Sequence, residues 1–216
     1  MSLDASPDEV RQWITRHLDP LDASILGGME VRGDLNLDPA IASDHTITWT
    51  PAAVLVGLVQ REHGFSVLLT RRADTLRSHT GQVAFPGGRC DPGETPWETA
   101  LREAEEEIGL DPACVELAGL STPYRTAVTG YQIMPVVGFV SPKMSLTPNP
   151  DEVADIFETP FGFLMDPRNL EQHERETPAG DRRRFYAATW EGHYIWGATA
   201  GMLRALYDRL FGAAVA

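Results

Sequence analysis

The sequence is nearly devoid of lysine: of 18 Lys and Arg together, only Lys143 is a lysine. Almost every positive charge is therefore a planar, permanently protonated guanidinium, shaped to grip carboxylates and phosphates. Cysteine is as scarce. Cys90 and Cys114 are the only two and lack CxxC spacing, which excludes a disulfide scaffold and a Cys-based zinc site. Basic charge is in overall deficit, since 31 Asp and Glu give a formal net charge of -13. Such a chain has no spare cations to displace counterions, so a nucleic-acid partner is not expected. No run of about 18 apolar residues exists, and Asp4, Asp8 and Glu9 stand where a signal peptide would be basic. These absences point to a cytoplasmic protein with no membrane partner.

What is present suits one domain, or one domain with an extension: 216 residues, 43% hydrophobic and 23% charged. Ser6-Pro7-Asp8-Glu9 reads as a capped start for a helix running to about Leu18. Residues 19–50 read as irregular, so 1–45 is expected to be a helix plus extension and 46–216 the main domain. Strands are expected at Ala52–Val59 and Phe65–Thr70, joined by a turn at Arg61-Glu62-His63-Gly64. Further strands are expected at Val115–Leu120, Ile133–Val140, Val153–Glu158 and Arg182–Trp190, the last after a turn at Pro178-Ala179-Gly180-Asp181. Residues 71–93 read as a loop, Phe161–Met165 as a short helix and Trp196–Phe211 as an apolar-faced helix. The interleaving favours an α/β architecture, a mixed sheet with helices packed on it.

Thr95-Pro96-Trp97-Glu98 is a second capping box and fixes a helix over about 96–109. At about 100° per residue, Trp97, Ala100, Leu101, Ala104 and Ile108 fall on one arc and are expected in the core. Glu103, Glu106 and Glu107 share a second arc, from which Glu105 projects away. Like charges at such spacing repel, and Arg102 is placed to offset this by pairing with Glu106 or Glu94. An acidic helix face taken alone is more often simply solvated. The sharper alternative is a site for a hard divalent cation, because Mg²⁺ takes oxygen ligands from a few carboxylates and from substrate phosphates.

The wider spacing decides between them. Gly88, five residues, Glu94, seven residues, Arg102-Glu103-Ala104, one residue, Glu106-Glu107, one residue, Gly109-Leu110 resembles a complete Nudix box. That is the signature of hydrolases acting on nucleoside diphosphates linked to another group. The resemblance implies a Nudix fold, an α/β/α sandwich around a mixed sheet. It implies Mg²⁺ or Mn²⁺ held by Glu103, Glu106 and Glu107 with the backbone carbonyl of Gly87, and a metal-bound water that attacks phosphorus. One of these glutamates, or an acid from a later loop for which Glu152 is the best candidate, would take the water's proton. Gly88, Glu94, Arg102 and Gly109 are implied to be structural, with Glu94 and Arg102 forming an ion pair.

Just upstream, residues 71–89 hold four Arg against one Asp, whereas 91–107 hold seven acids and one Arg. A basic loop facing an acidic helix would reconcile an anionic substrate with an anionic chain. The spacing LLTxRAxxxRxxxGxxxFPGG over Leu68–Gly88 resembles the signature of coenzyme A pyrophosphatases. Ile195-Trp196-Gly197-Ala198-Thr199-Ala200 is similar to the same branch, more weakly. The two strong motifs cover about a fifth of the chain. They imply cleavage of CoA to 3′,5′-ADP and 4′-phosphopantetheine, with Arg72, Arg77, Gly81 and Phe85 as substrate-binding positions. The alternatives are the same chemistry on ADP-ribose, a dinucleotide or acyl-CoA, or a nucleotide-binding module without hydrolysis, although such a module would be expected to have lost box glutamates. His79 reads as a loop residue, Arg182-Arg183-Arg184 as a solvated strand end or as partners of Glu174 and Glu176 across a hairpin, and Trp13, Trp49 and Trp190 as packing residues. Metal count, the phosphorus attacked and a homodimer stay open at this level.

Overall fold

In the computed structural model, residues 6–37, 48–73, 81–176 and 182–212 are described. Along the chain lie α1 (Pro7–Arg16), a 3-10 turn at Ala23–Gly28, β1 (Arg32–Gly33), α2 (Asp34–Leu37), β2 (Thr50–Arg61), β3 (Gly64–Arg72), β4 (Val83–Ala84), β5 (Gly87–Arg89) and α3 (Pro96–Ile108). There follow β6 (Val115–Leu120), β7 (Tyr124–Thr126), β8 (Tyr131–Val140), β9 (Val153–Pro160), α4 (Phe161–Leu164), β10 (Glu171–Glu176), β11 (Arg182–Trp190), β12 (His193–Trp196) and α5 (Ala198–Phe211).

Strand β2 is buried from Ala52 to Val59 without polar alternation, the pattern of a strand covered on both faces. It pairs in parallel with β8, Leu55 opposite Val136, and antiparallel with β3, Leu58 opposite Val67. Among the described residues, nine strands join into one mixed sheet, with β10, β11 and β12 forming a separate three-stranded sheet. Ala53, Leu55, Val59 and Leu68 face one layer, where they meet Ala100, Ala104 and Ile108 of α3. Val54, Val56, Leu58, Val67 and Leu69 face the other, with Ile14 of α1, Ile195 of β12 and Leu203 and Leu206 of α5. This is the expected α/β/α sandwich.

The splay between β2 and β3 positions the site. The hairpin partners separate after Leu58–Val67, and β5 takes up the freed part of β2 while β4 takes up Thr70 and Arg71 of β3. The segment expected to be a loop from 71 to 93 thus contains two short strands. They bring Gly87 and Gly88 under α3.

Several other expectations need correction. The stretch from 19 to 50 contains a 3-10 turn, α2 and β1, which adds to the sheet parallel to β7. Strands β7, β10 and β12 have no counterpart among the expected strands, and α5 begins at Ala198 because Trp196 ends β12. α1 stops at Arg16, capped by His17. Leu101 is only half-buried, while Thr99 and Glu107 are buried. The helix is rotated about its axis so that the buried arc runs from Ile108 across Ala104 and Ala100 to Glu107, and Leu101 falls off its edge. The turn at 178–181 lies outside the described residues.

Candidate active site

The helix is set first. Thr95 caps α3 through the Glu98 backbone N–H while the Glu98 carboxylate accepts from the Thr95 N–H at 2.8 Å. Gly109 ends it with φ 64°, the left-handed cap that glycine adopts without strain. Glu94 then locks the preceding loop to the helix. It accepts from the Asp91 N–H at 2.9 Å, the Thr99 hydroxyl at 2.8 Å and two guanidinium nitrogens of Arg102 at 2.8 and 3.0 Å. These donors hold the Glu94 carboxyl down at about 2, the Arg102 hydrogen bond being the largest cause. Arg102 also donates to Glu103 at 2.9 Å, Glu106 at 3.1 Å and the Arg89 carbonyl at 3.2 Å.

The glutamates of the acidic arc are graded by depth. The Glu107 side chain is 4% exposed, Glu103 16% and Glu106 57%, while Glu105 faces solvent. Gly88 makes room for Glu103, since a Cβ there would lie 2.5 Å from its carboxyl carbon. Gly87 has no space for a Cβ against the Ala53 carbonyl and Val54, and its N–H donates to Glu107 at 3.2 Å.

Two backbone staples bring Glu152 to the same place. The Asn149 N–H donates to the Glu107 carbonyl at 2.8 Å, and the Ala73 N–H donates to the Glu152 carbonyl at 2.8 Å. The turn at 149–153 is thereby pinned between α3 and the end of β3. The neighbouring acids lie elsewhere: Asp151 is exposed and Glu158 pairs with Arg61.

The resulting electrostatics are unbalanced. Burial, followed by the smaller effects of the Glu103 and Glu152 charges, pushes the Glu107 carboxyl up to about 7, against the pull of the Gly87 N–H and Arg72. Burial likewise raises Glu103, which Arg102 partly offsets. Arg72 follows Leu68 and Thr70 on the α3 face of β3, and its Nη1 stands 3.9 Å from Glu107. Among the described residues, no three Asp, Glu, His or Cys side chains are gathered as a ready-made metal cluster. The donors at hand, Glu103, Glu107 and Glu152, are all oxygen, and their charge is under-compensated. That set fits a hard divalent cation whose remaining ligands are substrate phosphate oxygens and water.

The other upstream-motif residues fall differently. Gly81 occupies a left-handed turn, φ 67°, leading into β4. Phe85 is 2% exposed and belongs to the core on the α5 side, so its ring anchors the segment there. Arg77 and His79 lie outside the described residues. The Thr199 hydroxyl donates to the Val83 carbonyl at 2.9 Å, tying the 195–200 motif to the upstream one. Arg182 and Arg184 both pair with Glu174, while Glu176 meets Arg182 only in strand register; Trp13 and Trp190 pack against Phe211 and Phe163, as expected. Trp49 lies under the Arg125 guanidinium.

Comparison with known proteins gives concordant results. The NUDIX domain model matches residues 49–188. A relative from Escherichia coli (strain K12), described as an uncharacterized Nudix hydrolase NudL, is 40% identical over 165 residues, covering 74% of this chain and 83% of the relative. Among solved structures, the Nudix hydrolase RenU from M. smegmatis superposes with a TM-score of 0.49 at 20% identity, covering 77% of this chain and 86% of that one. The NUDIX domain of Shewanella oneidensis NrtR, solved with ADP ribose, superposes with a TM-score of 0.42 at 17% identity, covering 65% and 84%.

Proposed function

The chain belongs to the Nudix family of hydrolases acting on nucleoside diphosphate derivatives, and on that footing we propose that its substrate is coenzyme A or a CoA derivative. The observation that carries this reading is the meeting of two motifs separated in sequence. Arg72 of the CoA-pyrophosphatase-like segment stands against Glu107 of the box helix.

In this reading Glu103, Glu106, Glu107 and Glu152, with the Gly87 carbonyl, would hold Mg²⁺ or Mn²⁺. Such an ion, when bound, neutralises the diphosphate and acidifies a water for attack on phosphorus. The protein's own part is positional. Glu94 and Arg102 fix the loop against the helix, Gly88 leaves space for Glu103, and Gly87 orients Glu107 through its N–H. Glu152, from a separate turn, is the residue this reading assigns to take the water's proton. Arg72 and Arg77 supply bidentate donors for phosphate groups. Products are 3′,5′-ADP and 4′-phosphopantetheine, and the hydrolase unit spans 46–216.

A substrate panel read by mass spectrometry tests this. CoA carries a 3′-phosphate that dephospho-CoA and ADP-ribose lack, and a charge-assisted contact to it is worth roughly 10- to 150-fold. The expected result is kcat/KM for CoA above dephospho-CoA by that order. Ready hydrolysis of ADP-ribose with CoA untouched overturns the assignment.

A further inference from the structure

The two guanidiniums beside the acidic arc are used very differently. Arg102 is bound by Glu94, Glu103, Glu106 and a backbone carbonyl. Arg72 touches Glu107 only at 3.9 Å, beyond hydrogen-bond length, and its buried Nε has no hydrogen-bond partner among the described residues. Its side chain is 30% exposed against 4% for Glu107, so Arg72 reaches solvent beside a carboxylate that does not. A cation so placed is held by charge and not by geometry. Among the described residues its Nε points at no acceptor of the protein's own.

We propose that Arg72 is a stand-in cation: it balances Glu107 until a divalent ion takes that carboxylate, and its fork then serves the reacting diphosphate. The proposal rests on the reading of Glu107 as a metal-holding residue. It also divides work between the arginines of the upstream motif, because a group at Glu107 is at the reacting end of the substrate. Discrimination for the 3′-phosphate must then lie with other residues.

Arg72 and the ion compete for one carboxylate, so removing Arg72 has effects of opposite sign. Without substrate, Mn²⁺ meets a carboxylate with no rival; with substrate, the diphosphate has lost a partner. An arginine that merely holds the loop together would, on removal, weaken both.

The experiment is calorimetric titration of Mn²⁺ alone into the metal-free full chain, comparing wild type with Arg72→Ala, Arg72→Gln, Arg72→Lys and Glu107→Gln. Steady-state kinetics at saturating Mn²⁺ accompany it. Arg72→Ala and Arg72→Gln should bind Mn²⁺ about 5- to 10-fold more tightly, with Arg72→Lys closer to wild type. Their kcat/KM should fall at least about 10-fold, equally for CoA and dephospho-CoA. Unchanged or weaker Mn²⁺ binding in both neutral variants, or in whichever melts like wild type, overturns the proposal. Mn²⁺ binding that is indifferent to Glu107→Gln shows instead that the metal reading of the site has failed.

Discussion

At its N-terminal end α3 is surrounded by carboxylates whose every charge is answered: Glu98 closes the cap, and Glu94 accepts from Asp91, Thr99 and Arg102. Three turns on, Glu107 lies deeper in the protein with one backbone N–H and a distant guanidinium, facing the charges of Glu103 and Glu152. The same residue type is held near 2 at one end and lifted to about 7 at the other. Satisfied carboxylates fasten the fold. Under the proposed function, the unsatisfied ones are what a bound divalent ion would answer.

The largest test of this contrast is chelation. EDTA should abolish turnover and added Mg²⁺ or Mn²⁺ should restore it; undiminished hydrolysis in EDTA would remove the purpose of the unsatisfied end. Next comes substitution along the helix. Glu107→Gln should lower kcat by about 10² or more while leaving the metal-free melting temperature unchanged or higher, since a strained charge has gone. Glu105→Gln, on the solvent face, should leave kinetics near wild type. Equal losses in the two variants would erase the distinction between faces.

Glu94→Gln should do the reverse of Glu107→Gln, costing about 1–2 kcal/mol of stability after allowance for solvent screening. The smallest effect, and the sharpest, is in pH. For Glu94, whose carboxyl is lowered in the folded protein, stability is complete above about 4.5 and is lost as pH falls toward 2. For Glu107, whose carboxyl is raised, the folded metal-free chain keeps a proton that the unfolded chain has released. Its stability therefore falls as pH rises from 4.5 to about 7. Thermal melts in EDTA across this range should lose the second slope in Glu107→Gln and the first in Glu94→Gln. Identical profiles in both variants would contradict the assignment of the two shifts.

Much of this was legible in the sequence because its causes are local. The capping box at Thr95–Glu98 and the fixed offsets of Glu94, Arg102, Glu103, Glu106 and Glu107 define a helix and its faces before any tertiary contact. Glu152 was reachable only as a guess, since its approach depends on Asn149 and Ala73 bonding to separate elements. Strand β10, exposed along all of Glu171–Glu176, has neither alternation nor β-branched residues and exists because β11 pairs with it. β1 is two residues long and is defined by β7. Leu101 misled because hydrophobic periodicity gives an arc but not the helix's rotation against the sheet.

The apolar layer opposite α3 has a consequence for the order of assembly. Ile14 of α1 is wholly buried in the cluster that holds Leu206 and Leu210 of α5, and Arg209 donates to the His17 carbonyl across 192 positions while pairing with Asp19 at 2.8 Å. The helices that cover this layer thus come from opposite stretches of the chain. During synthesis α1 must wait, its apolar stripe unmatched, until α5 has left the ribosome. Closing so long a loop comes late in folding. Ile14→Val should accordingly speed unfolding in a chevron analysis and leave the refolding limb almost unmoved. A slowed refolding limb would place the clasp of α1 and α5 in the nucleus instead.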